Sequence, residues 1–95
     1  MTNTEIATDM EELAKFISDP KYAAILRKAV EVEERLDKDQ YRAGHGWEWH
    51  GVQAHPGNLM KLVVAGILRV AYKSNRSTMY LLADRQAVKR AVKDK

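Results

Sequence analysis

Ninety-five residues, 45% hydrophobic and 31% charged, suit one domain with a single modest core and leave no room for a separate catalytic lobe. Cysteine is absent, which excludes disulfides, thiolate chemistry and cysteine-rich zinc sites, and no apolar run approaches the roughly 20 residues that span a membrane. The net charge of +3 hides a partition: residues 1–40 carry ten acids against six bases, and residues 41–95 carry ten bases against three acids. That asymmetry points the second half toward a polyanion and the first toward solvent or another protein. The amino terminus is acidic and polar where a secretory leader would be basic and then apolar, so the expected setting is soluble and cytoplasmic.

Thr8 and Glu11 have the spacing of a capping box, and Met10, Leu13, Ala14 and Ile17 follow at helical intervals, so a first helix is predicted from Asp9 to Ser18. Asp19 and Pro20 restart the chain as N-cap and first helical residue. Tyr22, Ile25, Ala29, Val32 and Leu36 then form the apolar stripe of a long helix ending near Leu36. Its two heptads fall short of a coiled-coil seam, so the stripe reads as core. A polar stretch, Asp37 to Gln40, leads into "GHGWEWHGVQAHPGN", residues 44–58, which crowds three histidines, two tryptophans and four glycines.

His55-Pro56-Gly57-Asn58 has the form of a helix start, with Leu59, Leu62 and Val63 facing inward and Gly66 as the stop. "ILRVAYK" alternates as a half-buried strand, with Leu68, Val70 and Tyr72 on one face and Arg69, Ala71 and Lys73 on the other. "SNRS" is a polar turn, and "TMYLLA" returns with Tyr80 and Leu82 opposite Met79 and Leu81, which makes residues 67–83 a β-hairpin. Asp84 caps a last helix whose Ala87, Val88, Ala91 and Val92 face inward, while Lys89, Arg90 and Lys93 stay outside. The fold class expected is α+β, mostly helical.

This order of helices, irregular segment, short helix and basic-tipped hairpin resembles a winged helix-turn-helix domain. The resemblance is best over "HPGNLMKLVVAGILRVAYKSNRSTMYLLAD", residues 55–84. This stretch is similar to the recognition helix and wing of many regulators and of winged modules in archaeal replication and helicase proteins. On that pattern the chain is one winged-helix domain: residues 1–37 are its helical N-terminal part, 55–66 the recognition helix, 67–83 the wing and 84–95 a C-terminal helix. The departure is "GWEWHGVQA", which stands where the family carries a short amphipathic helix. Either a very short second helix lies near Tyr41 to Gly46, or a strand and loop replace it.

The resemblance implies double-stranded DNA as partner, read as a transcription regulator or a DNA-processing accessory associated with the nucleoid. The recognition helix would present Gly57, Asn58 and Lys61, with Met60 and Val64 beside them. Asn58 suits adenine edges, Lys61 suits guanine or phosphate, and His55 sits at the helix start near a phosphate. On the hairpin, Arg69, Lys73, Ser74, Asn75, Arg76, Ser77 and Thr78 would meet phosphates or a narrow minor groove. The alternatives are a solvated helix face and an ordinary polar turn. Pairing of two copies through the first or last helix is left open, as is use of the domain for protein contact within a replication, repair or transcription assembly. There the acidic half or Trp47 and Trp49 would dock. Stacking of unpaired bases on exposed tryptophans is a further option, although the small core favours burial of at least one.

An enzyme or metal reading finds little support in the residues. His45, His50 and His55 recur every five positions, which sets neighbours about 140° apart on a helix and on opposite faces of a strand. No HExxH arrangement, phosphate-binding glycine loop or serine nucleophile motif accompanies them. No catalytic residue, cofactor or metal is expected.

Overall fold

The computed structural model describes residues 10–39 and 44–93, so Thr8 of the expected capping box and residues 41–43 of the expected short helix lie outside them. The acidic half forms two helices, α1 (Met10–Ile17) and α2 (Pro20–Asp37). They separate where the sequence places the break, because the Asp19 carboxylate accepts the Lys21 backbone N–H at 2.9 Å and Pro20 opens α2. Tyr22, Ile25 and Ala29 are buried as their spacing predicts. Farther along, however, Val30 and Glu33 turn inward, while Val32 and Leu36 are only half-buried. The stripe therefore rotates onto a charged residue.

Beyond α2, Gly44 and Gly46 adopt left-handed backbone conformations (φ +79° and +89°), which rules out helix at these two positions. Trp47 exchanges both backbone hydrogen bonds with Tyr80, donating at 3.0 Å and accepting at 2.8 Å. A Cβ on Gly46 would come within 2.7 Å of the Tyr80 carbonyl oxygen, so the close approach requires glycine there. A 3-10 turn, Trp49–Gly51, follows at once. A strand residue and a tight turn thus occupy the place of the expected helix. The turn also separates the tryptophans, which an extended chain would hold on one face: Trp47 is 3% exposed and Trp49 48%.

Helix α3 (Pro56–Val64) begins at His55, whose Nδ1 accepts the Gly57 N–H at 2.9 Å, and ends at Gly66 (φ +81°). Strands β1 (Leu68–Lys73) and β2 (Thr78–Leu82) pair antiparallel, Leu68 opposite Leu82 and Val70 opposite Tyr80. Helix α4 (Arg85–Lys93) follows, with the Asp84 carboxylate accepting the Ala87 N–H at 3.1 Å and Val88 and Val92 buried. The class is α+β and mostly helical, with Trp47 extending the two-stranded sheet by one residue.

α2 packs against α1, α4 and β2, and α3 packs against β1. Leu13, Leu26, Leu59, Leu62, Leu68 and Val88 bring α1, α2, α3, β1 and α4 into one fully buried cluster. Truncating any one of these leucines to alanine costs about 2–5 kcal/mol. None of the described helices is long and apolar enough to cross a membrane.

Glu33, 4% exposed, joins three elements to α2. Its Oε2 accepts the Trp47 indole N–H at 2.9 Å and the Leu82 backbone N–H at 2.6 Å, and Arg85 of α4 stands 3.7 Å from Oε1. Burial pushes its carboxyl above the usual carboxylate range, against the two hydrogen bonds and Arg85, which favour the charged form. Arg85 also holds Asp37 at 2.6 Å, an ion pair that raises its own pKa. This buried polar centre, between helix ends and sheet, fixes how the hairpin sits on α2.

Candidate nucleic-acid interface

α3 carries the first set of sequence-predicted residues. Leu59 and Leu62 are buried against the core, and helical geometry turns the opposite side to solvent. Gly57, Met60, Lys61 and Val64 are exposed there, Val64 to 81%. His55 is exposed but occupied, since its Nδ1 lone pair caps the helix. Asn58 is half-buried, and its Oδ1 accepts the Tyr22 hydroxyl of α2 at 3.3 Å. A two-pronged contact to adenine uses that oxygen as well as the amide nitrogen, so it would share Oδ1 with the Tyr22 hydroxyl.

The hairpin carries the second set. Arg69, Lys73, Ser74, Asn75 and Arg76 are exposed, and Ser77 and Thr78 are half-buried. The Ser74 hydroxyl is turned into the loop, where it accepts the Arg76 and Ser77 N–H groups at 3.3 and 3.2 Å, and the Ser74 N–H bonds the Ser77 carbonyl at 2.8 Å. These bonds stiffen the tip, so the Lys73 and Arg76 side chains project from a defined turn. Arg69 departs from the rest of the set. It pairs with Leu81 on the sheet face opposite the buried Leu68, Tyr80 and Leu82, and it shares a pocket with Glu33, Asp37 and Arg85 rather than with α3.

Pairing divides the cations. Lys15, Lys28, Arg35, Arg85 and Lys89 each hold a carboxylate on α1 or α2, the Lys89–Glu34 contact lowering the Glu34 pKa. Lys61, Arg69, Lys73 and Arg76 are exposed and have no ion pair among the described residues, and the same holds for Lys21, Arg27 and Lys38 in the first half and for Arg90 and Lys93 on α4. Of the second half's described unpaired cations, four therefore stand on α3 and the hairpin and two, Arg90 and Lys93, on α4, whose Arg85 and Lys89 are paired with α2. The sequence showed the excess; which cations are neutralised depends on contacts such as Lys89–Glu34, 55 positions apart.

The histidines lie in three different settings: His45 beside the hairpin, His50 with its Nε2 3.3 Å from Glu48, and His55 at the α3 cap. The strand pattern also misses one feature. Alternation puts Val70 and Tyr72 with Leu68 on the inner face; Val70 keeps that face, opposite Tyr80, although 39% exposed, whereas Tyr72 leaves it and is 60% exposed. A β-bulge lies between them: Val70 opposes Tyr80, Tyr72 opposes Met79, and Ala71 is the extra residue. One added residue reverses the alternation and carries Tyr72 to the outer face.

Comparison of the chain with known protein families, curated proteins and solved structures gives no match.

Proposed function

We propose that this chain binds double-stranded DNA in the manner of a winged helix, with α3 entering the major groove and the β1–β2 tip lying on the neighbouring backbone or minor groove. The observation that carries the reading is that the two elements a winged helix would use each carry exposed cations without ion pairs among the described residues, Lys61 on α3 and Lys73 and Arg76 at the tip. Lys61 reaches guanine or phosphate, and Met60 and Val64 offer apolar contact to thymine methyl groups. At the α3 start a phosphate has to displace His55 Nδ1 from the Gly57 N–H, since the Asn58 and Leu59 N–H groups already donate to the His55 carbonyl. The Trp47–Tyr80 bridge supports the same reading, because it adds one sheet-paired residue between the long helix and α3 while a 3-10 turn stands in for the helix between them. The biological role that fits is transcription regulation or an accessory part in DNA processing.

The test is fluorescence anisotropy with random duplex DNA between about 50 and 200 mM salt. Three phosphate contacts predict that log K falls with log salt at a slope of about −2.7. No binding at micromolar protein and low salt removes the reading.

A second reading rests on one observation. Met60 and Val64 border an open groove with Phe16, Ala65, Glu12 and Lys61, an apolar strip with a charge of each sign at its rim. Such a strip suits a protein partner in a replication, repair or transcription assembly. Of the tryptophans, Trp49 alone remains available to such a partner, because Trp47 lies in the core.

A further inference from the structure

The outer face of the hairpin carries a groove of about 520 Å³ lined by Gly44, His45, Ala71, Tyr72, Ser77 and Met79. Its existence follows from two backbone features. The bulge at Ala71 turns Tyr72 onto the face of Met79, and the Gly44–Gly46 segment crosses that face without side chains at 44 and 46. A groove of this size holds a small planar ligand. Its lining combines an exposed aromatic ring, a thioether, an imidazole and a hydroxyl, and none of the described lining residues is acidic.

The surrounding charge narrows the choice. Arg69 lies on the same sheet face as Tyr72, and Arg76 projects from the adjacent tip, both without ion pairs among the described residues. An aromatic wall with polar edge groups, flanked by cations, matches a nucleobase attached to its phosphates: the ring stacks, His45 and Ser77 meet the base edge, and the arginines meet the backbone. A continuous duplex cannot use this groove, because its bases are stacked and paired. We propose that the groove receives an unpaired base of a DNA strand, so that the preferred substrate is a junction between duplex and single strand. The proposal rests on the DNA-binding reading of the hairpin and adds Tyr72 and His45 to it.

Three labelled probes test it: a blunt duplex, the same duplex with a single-stranded overhang, and the single strand, each of the last two carrying 2-aminopurine, at the first unpaired position of the overhang and at the same nucleotide of the strand. The full chain should bind the overhang probe roughly 5- to 100-fold more tightly than the blunt one, the value of stacking one base on an aromatic ring, and should quench the 2-aminopurine. Tyr72→Phe should keep the preference and the quench. Tyr72→Ala should lose both while retaining the wild-type circular dichroism spectrum, since the ring is exposed. Equal affinity for blunt and overhang probes without quenching overturns the proposal and leaves the duplex reading intact, as does a preference that survives in Tyr72→Ala. Binding and quenching of the single strand without affinity for the blunt duplex uphold the groove and remove the duplex reading. Failure to bind any of the three removes both.

Discussion

Removing the Glu33 side chain is the sharpest test of how this fold is held. Glu33→Ala strips the acceptor from the Trp47 indole N–H and the Leu82 backbone N–H, both buried, and leaves Arg85 with Asp37 alone. A buried donor left unsatisfied costs about 1–3 kcal/mol, so the two together cost roughly 2–6 kcal/mol. That is a large share of the roughly 5–15 kcal/mol that stabilises a domain of this kind, and the melting temperature should fall by at least about 10 °C. Glu33→Gln behaves differently. Its carbonyl oxygen can accept both N–H groups in place of Oε2, and the burial cost of a charge disappears, so the change should stay within about 1 kcal/mol. Urea unfolding followed by tryptophan fluorescence, with far-UV circular dichroism as the second probe, measures both variants. An alanine variant within about 1 kcal/mol of wild type would refute the reasoning, and so would a glutamine variant as damaged as the alanine one.

The same residue gives a pH prediction. Its folded-state pKa is raised above 4.5, so Glu33 contributes most to stability below that value and progressively less as pH rises through the folded-state pKa. The stability of wild type relative to Glu33→Gln should therefore increase on acidification through that window; a difference that is flat, or that falls, contradicts the burial argument. Gly46→Ala forces a Cβ to 2.7 Å from the Tyr80 oxygen at φ +89°, and should cost about 1–3 kcal/mol and expose Trp47, read as a red shift in its emission. Lys61→Ala and Arg76→Ala should each weaken duplex binding and lower the magnitude of the salt slope by about 1, whereas Lys89→Ala, whose cation is spent on Glu34, should leave the slope unchanged.

Much of the local structure was legible because it is written in short-range chemistry. Asp19-Pro20, His55-Pro56, Gly66 and Asp84 mark helix ends by satisfying or sparing nearby backbone groups, and all four act where their spacing places them. The inner faces of α3, β2 and α4 follow from periodicity alone. Two departures from the local pattern share a cause. The apolar spacing of α2 predicts a stripe without Glu33, but Glu33 is buried because distant donors on Trp47 and β2 meet it. Strict alternation predicts Tyr72 on the inner face, and a single extra residue cancels it. Neither a long-range hydrogen bond nor a bulge leaves a mark in the local pattern.

The candidate site divides along the same line. The sequence by itself determined the elements, their order and the basic excess of the second half, since each depends on neighbouring residues or simple composition. Only the tertiary structure decided which cations remain unpaired, that Trp47 is core while Trp49 is surface, that Asn58 is tied to Tyr22, and that Arg69 and Tyr72 share the outer hairpin face. Several of those outcomes depend on partners far along the chain, 36 positions for Asn58 and Tyr22 and 55 for Lys89 and Glu34, and the shared face of Arg69 and Tyr72 depends on the bulge at Ala71. They are set when the core closes, because a side chain's partners are chosen by whatever the packed elements bring within hydrogen-bonding reach.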